Sequence, residues 1–183
     1  MSAIMDPTGQ SSRQVADGLA LAERRPGLSG ATVGLLENGK QNARLFLEEV
    51  AGVLRERYGV GDVTLRRKEI FSAPAPPELV DQMSAESDVV VIGVGDCGSC
   101  SAAAIADGVL FERHGTPAAV ICSDAFKATA DAMAQVQDAP GYHYITTAHP
   151  VAGLSPEQVR GRAEQVAAEV AGVLAAAASR QAA

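Results

Sequence analysis

With 183 residues, 47% of them hydrophobic and only 4% aromatic, the chain can build one aliphatic core and offers no stacking platform for single-stranded nucleic acid. A formal net charge of −7 without a dense Lys/Arg cluster argues against a phosphate-backbone partner. No stretch reaches the roughly 20 apolar residues of a membrane span, and residues 1–13 lack the apolar centre of a signal peptide, so a cytoplasmic chain with no membrane and no nucleic-acid partner is expected.

Residues 1–30, rich in Gly, Ser, Pro and charge, are expected to form an irregular N-terminal arm, and residues 31–183 a single α/β domain. Residues 32–36 (TVGLL) form a short apolar run that predicts a strand. Residues 42–57 place Leu45, Leu47, Val50, Val53 and Leu54 at near-helical spacing, and Gly59 and Gly61 end that helix. A weaker strand is expected over residues 62–66, with an extension toward Ile70. Its Arg66-Arg67-Lys68 run reads as a solvated strand end. A proline-rich link over residues 74–77 leads into a helix that ends near Ala85, with Pro76 and Pro77 at its start.

Residues 88–94 (DVVVIGV) are apolar at successive positions, as a strand covered on both faces should be. A helix over 99–113, a buried strand over 118–122, a helix over 126–136 and a short strand over 144–147 follow. Ser155 and Pro156 then open an Ala-rich C-terminal helix that runs to about residue 178. Five strands alternating with helices imply a three-layer sandwich around a mainly parallel five-stranded sheet, and right-handed crossovers favour the flavodoxin-like order 2-1-3-4-5.

In such sheets, sites form beyond the carboxyl ends of the strands, next to the point where the strand order reverses. That rule gathers Asn38, Lys40 and Asn42 after the first strand and Gly95-Asp96-Cys97-Gly98-Ser99-Cys100 after the third. It adds Cys122, Ser123 and Asp124 after the fourth, and His149 after the fifth. Cys97 and Cys100, three apart at a helix start, share one side of the first turn, where free N–H groups and the helix dipole favour a thiolate. Three cysteines in a reducing compartment do not make a structural disulfide framework. Cys97 is the candidate nucleophile, and Cys100 could resolve its adduct by forming a disulfide.

His149 and Asp96 are the candidate acid–base groups, although capping α-helical N–H groups is the role that Asp96 suits better, and Asp124 is open between the same two roles at the next helix. Asn38 and Asn42 either bind a substrate carboxylate or stabilise their turn, and Lys40 either supplies charge to an acid substrate or is simply solvated. Gly95, Gly98 and Ser99 leave room for a substrate beside the thiols, while Cys122, Ser123 and Asp124 line the same edge. Cys122 could also be ordinary core packing. His114 reads as a helix-end cap and His143 as structural. Cys122 and His149 could complete a zinc set with the pair, but their spacing fits no standard site, so no metal is assigned. Gly93, Gly95 and Gly98 fit the G-x-G-x-x-G register, yet no acidic residue follows a second strand at the distance a dinucleotide needs, so no cofactor is assigned.

The segment Gly95-Asp96-Cys97-Gly98-Ser99-Cys100 resembles the signature of the UGSC family, in which the position of Cys97 is often selenocysteine. The likeness extends to Asp6-Pro7-Thr8-Gly9, to residues 36–43 (LENGKQNA), to Gly115-Thr116-Pro117 with residues 122–126 (CSDAF), and to His149-Pro150 with residues 153–156 (GLSP). More distantly, the motif is similar to the selenocysteine loop of the glycine, betaine, sarcosine and D-proline reductase selenoproteins. That second resemblance implies attack on carbon, loss of a leaving group and reductive release through a dithiol partner.

The leading expectation is therefore a thiol-dependent oxidoreductase or lyase-type enzyme that cleaves a polarised bond in a small metabolite. A thioredoxin-like dithiol would be its reductant, and a homo-dimer or hetero-oligomer its assembly. The alternatives are redox-neutral cysteine catalysis through a thioester or adduct, in hydrolysis, addition–elimination or isomerisation, and a non-catalytic redox-sensing subunit.

Overall fold

The computed structural model describes residues 19–176. The expectations for residues 1–18 lie outside the described residues, whereas the last helix, expected to run to about residue 178, ends at Leu174, where Ala175 turns to extended backbone. Within them the chain runs β1 (Val33–Glu37), α1 (Ala43–Tyr58), β2 (Val63–Arg67), α2 (Pro77–Glu86), β3 (Val89–Gly95), α3 (Gly98–Arg113), β4 (Ala118–Ser123), α4 (Lys127–Val136), β5 (Ile145–Thr147) and α5 (Pro156–Leu174), with a 3-10 turn (Asp124–Phe126) before α4.

All four strand pairings are parallel and the order is β2-β1-β3-β4-β5, the flavodoxin-like arrangement expected from the sequence. The sheet is entirely parallel, and helices cover both of its faces, as such sheets need. Alternation along β3 sorts its side chains between two cores. Val89 and Val91 face α1 and α5, where Phe46, Leu47, Val50, Val159 and Val166 pack. Val90 and Ile92 face α2, α3 and α4, where Met83, Ile105, Val109 and Ala130 pack. A period of two on one strand thus feeds two helical layers.

Helix ends obey the expected chemistry. Ser155 accepts from the Gln158 N–H (3.3 Å) while the Gln158 side chain returns to the Ser155 N–H (2.9 Å), a complete capping box before Pro156. Pro77 opens α2. Residues 19–30 hold no helix or strand apart from an isolated bridge between Arg25 and Ala175.

Two buried ion pairs depart from the sequence reading. Lys68, expected at a solvated strand end, is almost fully buried. Its Nζ donates to Asp107 Oδ2 (2.6 Å) and to the Ala73 carbonyl (2.7 Å). Burial pushes the Asp107 carboxyl above its ordinary value, and the charge and hydrogen bond of Lys68 act against that. The second pair fastens the N-terminal segment: Glu112, buried in α3, accepts from Arg24, from the Ala22 N–H and from the Ala118 N–H.

Candidate active site

Strand β3 does not enter its loop smoothly. Its pairing with β4 matches Ile92 to Val120 but Gly95 to Cys122, so one extra residue is accommodated between them. Such a bulge turns the strand end and re-aims the side chains beyond it. Side chains from neighbouring elements take up the carbonyls it exposes. Asn38 Nδ2 donates to the Val94 carbonyl (2.8 Å), while Ser101 Oγ and Ser123 Oγ donate to the Gly95 carbonyl (3.0 and 3.2 Å). Gly95 is required by close approach: a Cβ there would lie 2.6 Å from Cys122 Sγ and 2.8 Å from Ser101 Oγ.

This clamped strand end presents Asp96, Cys97 and the start of α3. A disulfide joins Cys97 and Cys100, whose Cα atoms are 5.2 Å apart. Cys97 is the N-cap of α3. Its Sγ accepts the Cys100 N–H (3.3 Å) and lies 3.7 Å from Ser99 Oγ. The two sulfurs differ in access, because Cys97 is half-buried and Cys100 is fully buried. Of the two joined residues, Cys97 alone has surface open to solvent.

Asp96 does not cap α3, the role that the sequence favoured for it; Cys97 holds that position. Its carboxylate turns across to the β5–α5 loop, where Oδ2 accepts the Val151 and Ala152 N–H groups (2.9 and 2.8 Å) and Oδ1 meets His149 Nδ1 (3.0 Å). Asp96 can only accept, and the Ser123 hydroxyl, 3.3 Å from the same nitrogen, gives its hydrogen to Gly95. Nδ1 therefore carries a proton, and Nε2 makes no hydrogen bond among the described residues. Phe126 packs edge-on against the imidazole at 5.3 Å, and Asp124 accepts the His149 backbone N–H (3.0 Å). The ring remains 39% exposed. An acid, an oriented histidine and an accessible sulfur thus converge on one sheet edge.

The remaining candidates sort by where their side chains go. Ser99 is exposed, and a Cβ on Gly98 would meet Thr129 Oγ1 at 3.9 Å. Lys40 is half-buried in the loop after β1. Asn38 and Asn42 take the turn-stabilising alternative. Asn38 Oδ1 accepts the Lys40 N–H (3.3 Å), and Asn42 Nδ2 donates to the Val151 and Leu154 carbonyls (both 3.0 Å), tying the β5–α5 loop to α1. Ser123 is buried and orients His149 from below. Cys122 is core packing, fully buried beneath the bulge. His114 caps α3 through the Leu110 carbonyl (2.8 Å), and His143 is exposed and paired with Glu169 (3.2 Å). Among the described residues no group of three or more His, Cys, Asp or Glu is placed to hold a metal ion, and no helix is long and apolar enough to cross a membrane.

Burial raises the Cys122 thiol from 9.0 to about 12, against a weaker opposing hydrogen bond from Ser101. A folded-state value above the unfolded one stabilises fully below pH 9, and that contribution is lost as pH rises toward 12, at up to about 1.4 kcal/mol per pH unit. Urea midpoints at pH 8 and near pH 11 should therefore fall further apart in the wild type than in Cys122→Val. Equal falls would mean that Cys122 is not held neutral.

Sequence reasoning did not find Ser101, whose hydroxyl helps fix the Gly95 carbonyl. The only hint was a serine one turn into an otherwise apolar helix. It also missed the carboxylate of Asp96 reaching across to the loop after β5, for which the sequence carries no local signal.

The fold and site together define a flavodoxin-like α/β protein with a Cys-x-x-Cys disulfide at the loop after its third strand. The sequence matches the UGSC family over residues 3–176, and the chain belongs to that family. No curated protein matches the chain. Among solved structures it is similar to a diflavin flavoprotein A3 from Nostoc sp., at 10% identity and a TM-score of 0.40, covering 78% of this chain and 94% of that one.

Proposed function

We propose that this UGSC-family protein is a cysteine-dependent enzyme that reductively cleaves a small metabolite, cycling Cys97 and Cys100 between dithiol and disulfide. The observation that carries this reading is the unequal access of the two joined sulfurs: Cys97 is reachable and Cys100 is buried behind it. It acts in a reducing, cytoplasmic setting.

In the reduced protein, the Cys97 thiolate at the N-terminus of α3 attacks the carbon bearing a leaving group X. A carbon–sulfur bond forms, the carbon–X bond breaks, and X departs with the electron pair. The Cys100 thiolate then attacks the Cys97 sulfur. The new sulfur–sulfur bond releases the carbon with its bonding pair, and His149 Nε2, having taken up the proton that the Cys97 thiol gives up, delivers it to that carbon. The metabolite has gained two electrons and the cysteines have lost two. A thioredoxin-type dithiol restores them by attacking the exposed Cys97 sulfur, with Cys100 leaving as thiolate and the partner's second thiol releasing Cys97.

The test couples the oxidised protein to thioredoxin, thioredoxin reductase and NADPH. One equivalent of NADPH should be consumed at once, and consumption should resume when a small-metabolite extract containing the substrate is added. Turnover of an identified substrate with no reductant present would overturn the reductive step in favour of redox-neutral catalysis.

A further inference from the structure

The turn that carries the two cysteines holds one donor that their spacing does not by itself supply. Ser99 is the second residue of α3 and is exposed. Among the described residues, the hydrogen-bond partner of its Oγ is Cys97 Sγ, at 3.7 Å. In the disulfide that sulfur carries no hydrogen, so the hydroxyl is the donor. The Cys100 N–H donates to the same sulfur at 3.3 Å. Cys97 Sγ thus stands where a side-chain oxygen usually caps a helix, and it takes two donors there.

Both contacts gain strength when the disulfide opens. A disulfide sulfur is a weak acceptor, whereas a thiolate is a full negative charge, and hydrogen bonds to charged acceptors are about twice as strong as neutral ones. The backbone N–H and the helix N-terminus would act on any cysteine that caps a helix. The hydroxyl depends on the identity of residue 99. Titratable groups on the neighbouring elements do not supply this hydrogen bond. Asp96, adjacent in sequence, has its carboxylate engaged by the Val151 and Ala152 N–H groups and by His149. Asp124 accepts the His149 N–H, and Lys127 is exposed at the start of α4. Burial keeps Cys122 neutral. Among the described residues none of these four side chains hydrogen-bonds to Cys97 Sγ, whose donors are Ser99 and the Cys100 N–H.

We propose, resting on the reading of Cys97 as nucleophile, that Ser99 is a catalytic residue whose hydroxyl donates to the Cys97 thiolate and holds it ionised near neutral pH. The same hydrogen bond acts twice in the cycle. It stabilises the thiolate that attacks the metabolite, and it stabilises the thiolate that leaves when the partner's second thiol releases Cys97. Ser99 keeps its proton in both steps.

The test follows alkylation of Cys97 by iodoacetamide across pH on the reduced full-length protein, in the wild type, Ser99→Ala and Ser99→Thr. Rates at Cys97 are read by peptide mass spectrometry, and the pH midpoint of each profile is compared. The Ser99→Ala midpoint should lie about one pH unit above that of the wild type. Ser99→Thr keeps the hydroxyl and should return the midpoint close to the wild-type value. A wild-type midpoint well below the ordinary thiol value of about 8.5, unmoved in Ser99→Ala, would overturn the proposal and leave the nucleophile intact. Equal rises in Ser99→Ala and Ser99→Thr would also overturn it, because the hydroxyl would not be the cause. A wild-type midpoint already at the ordinary thiol value would overturn the nucleophile reading itself, and the role of Ser99 with it.

Discussion

Replacing Cys97 with serine should abolish dithiol-dependent turnover, by roughly a thousandfold or more, because the only accessible sulfur of the site is removed. Cys100→Ser should fail differently. Its Cys97 remains free to attack, but no second sulfur can displace the product. The protein should react once and stop, with a stable adduct at Cys97 that intact-mass measurement counts as one equivalent. The contrast between the two variants carries the information. If Cys100→Ser turns over at close to the wild-type rate, no disulfide forms during catalysis, and a redox-neutral reaction at Cys97 becomes the better account.

The second large effect is on folding. Asp107→Ala would leave the Lys68 ammonium buried with only the Ala73 carbonyl, and would also free the Ala75 N–H, which Asp107 Oδ1 now accepts at 2.6 Å. Removing one partner of a buried pair typically costs about 3–5 kcal/mol, or about 6–20 °C in melting temperature for a chain of this size. The double replacement Lys68→Met with Asp107→Leu should recover part of that loss, since an apolar pair removes the buried charge while the Ala75 N–H stays without its acceptor. Thermal unfolding of Asp107→Ala, the double variant and the wild type checks this. A single variant as stable as wild type would mean that the pair is solvated.

The elements were legible because their signals are local. The apolar run of β3, the spacing of Leu47, Val50 and Leu54 in α1, and the Ser155-Pro156 start of α5 each record a physical requirement within a few residues. The strand order came from the handedness of crossovers, and it brought the Cys97 loop and the His149 loop to one edge. What was hidden depends on partners far apart in sequence. Lys68 reads as part of a basic run until Asp107, 39 residues on, is known to lie against it. The acids Asp107 and Glu112, set in a helix otherwise rich in Ala, Ile, Val and Phe, are the trace that a buried pair leaves. Asp96 could be read as a helix cap because capping needs only neighbours, whereas its actual donors sit 55 and 56 residues away. Asn38 and Asn42 were open between two roles for the same reason, since their acceptors lie on β3 and on the loop before α5.

The central claim, that Cys97 is an activated nucleophile, is tested most directly by limiting iodoacetamide on the reduced protein over a pH series, with every labelled site mapped. Cys97 should be labelled first, with its rate rising well below the ordinary thiol value of about 8.5, and Cys122 should stay unlabelled until the protein unfolds. Equal and slow labelling of Cys97, Cys100 and Cys122 would contradict the account and return the pair to a structural role.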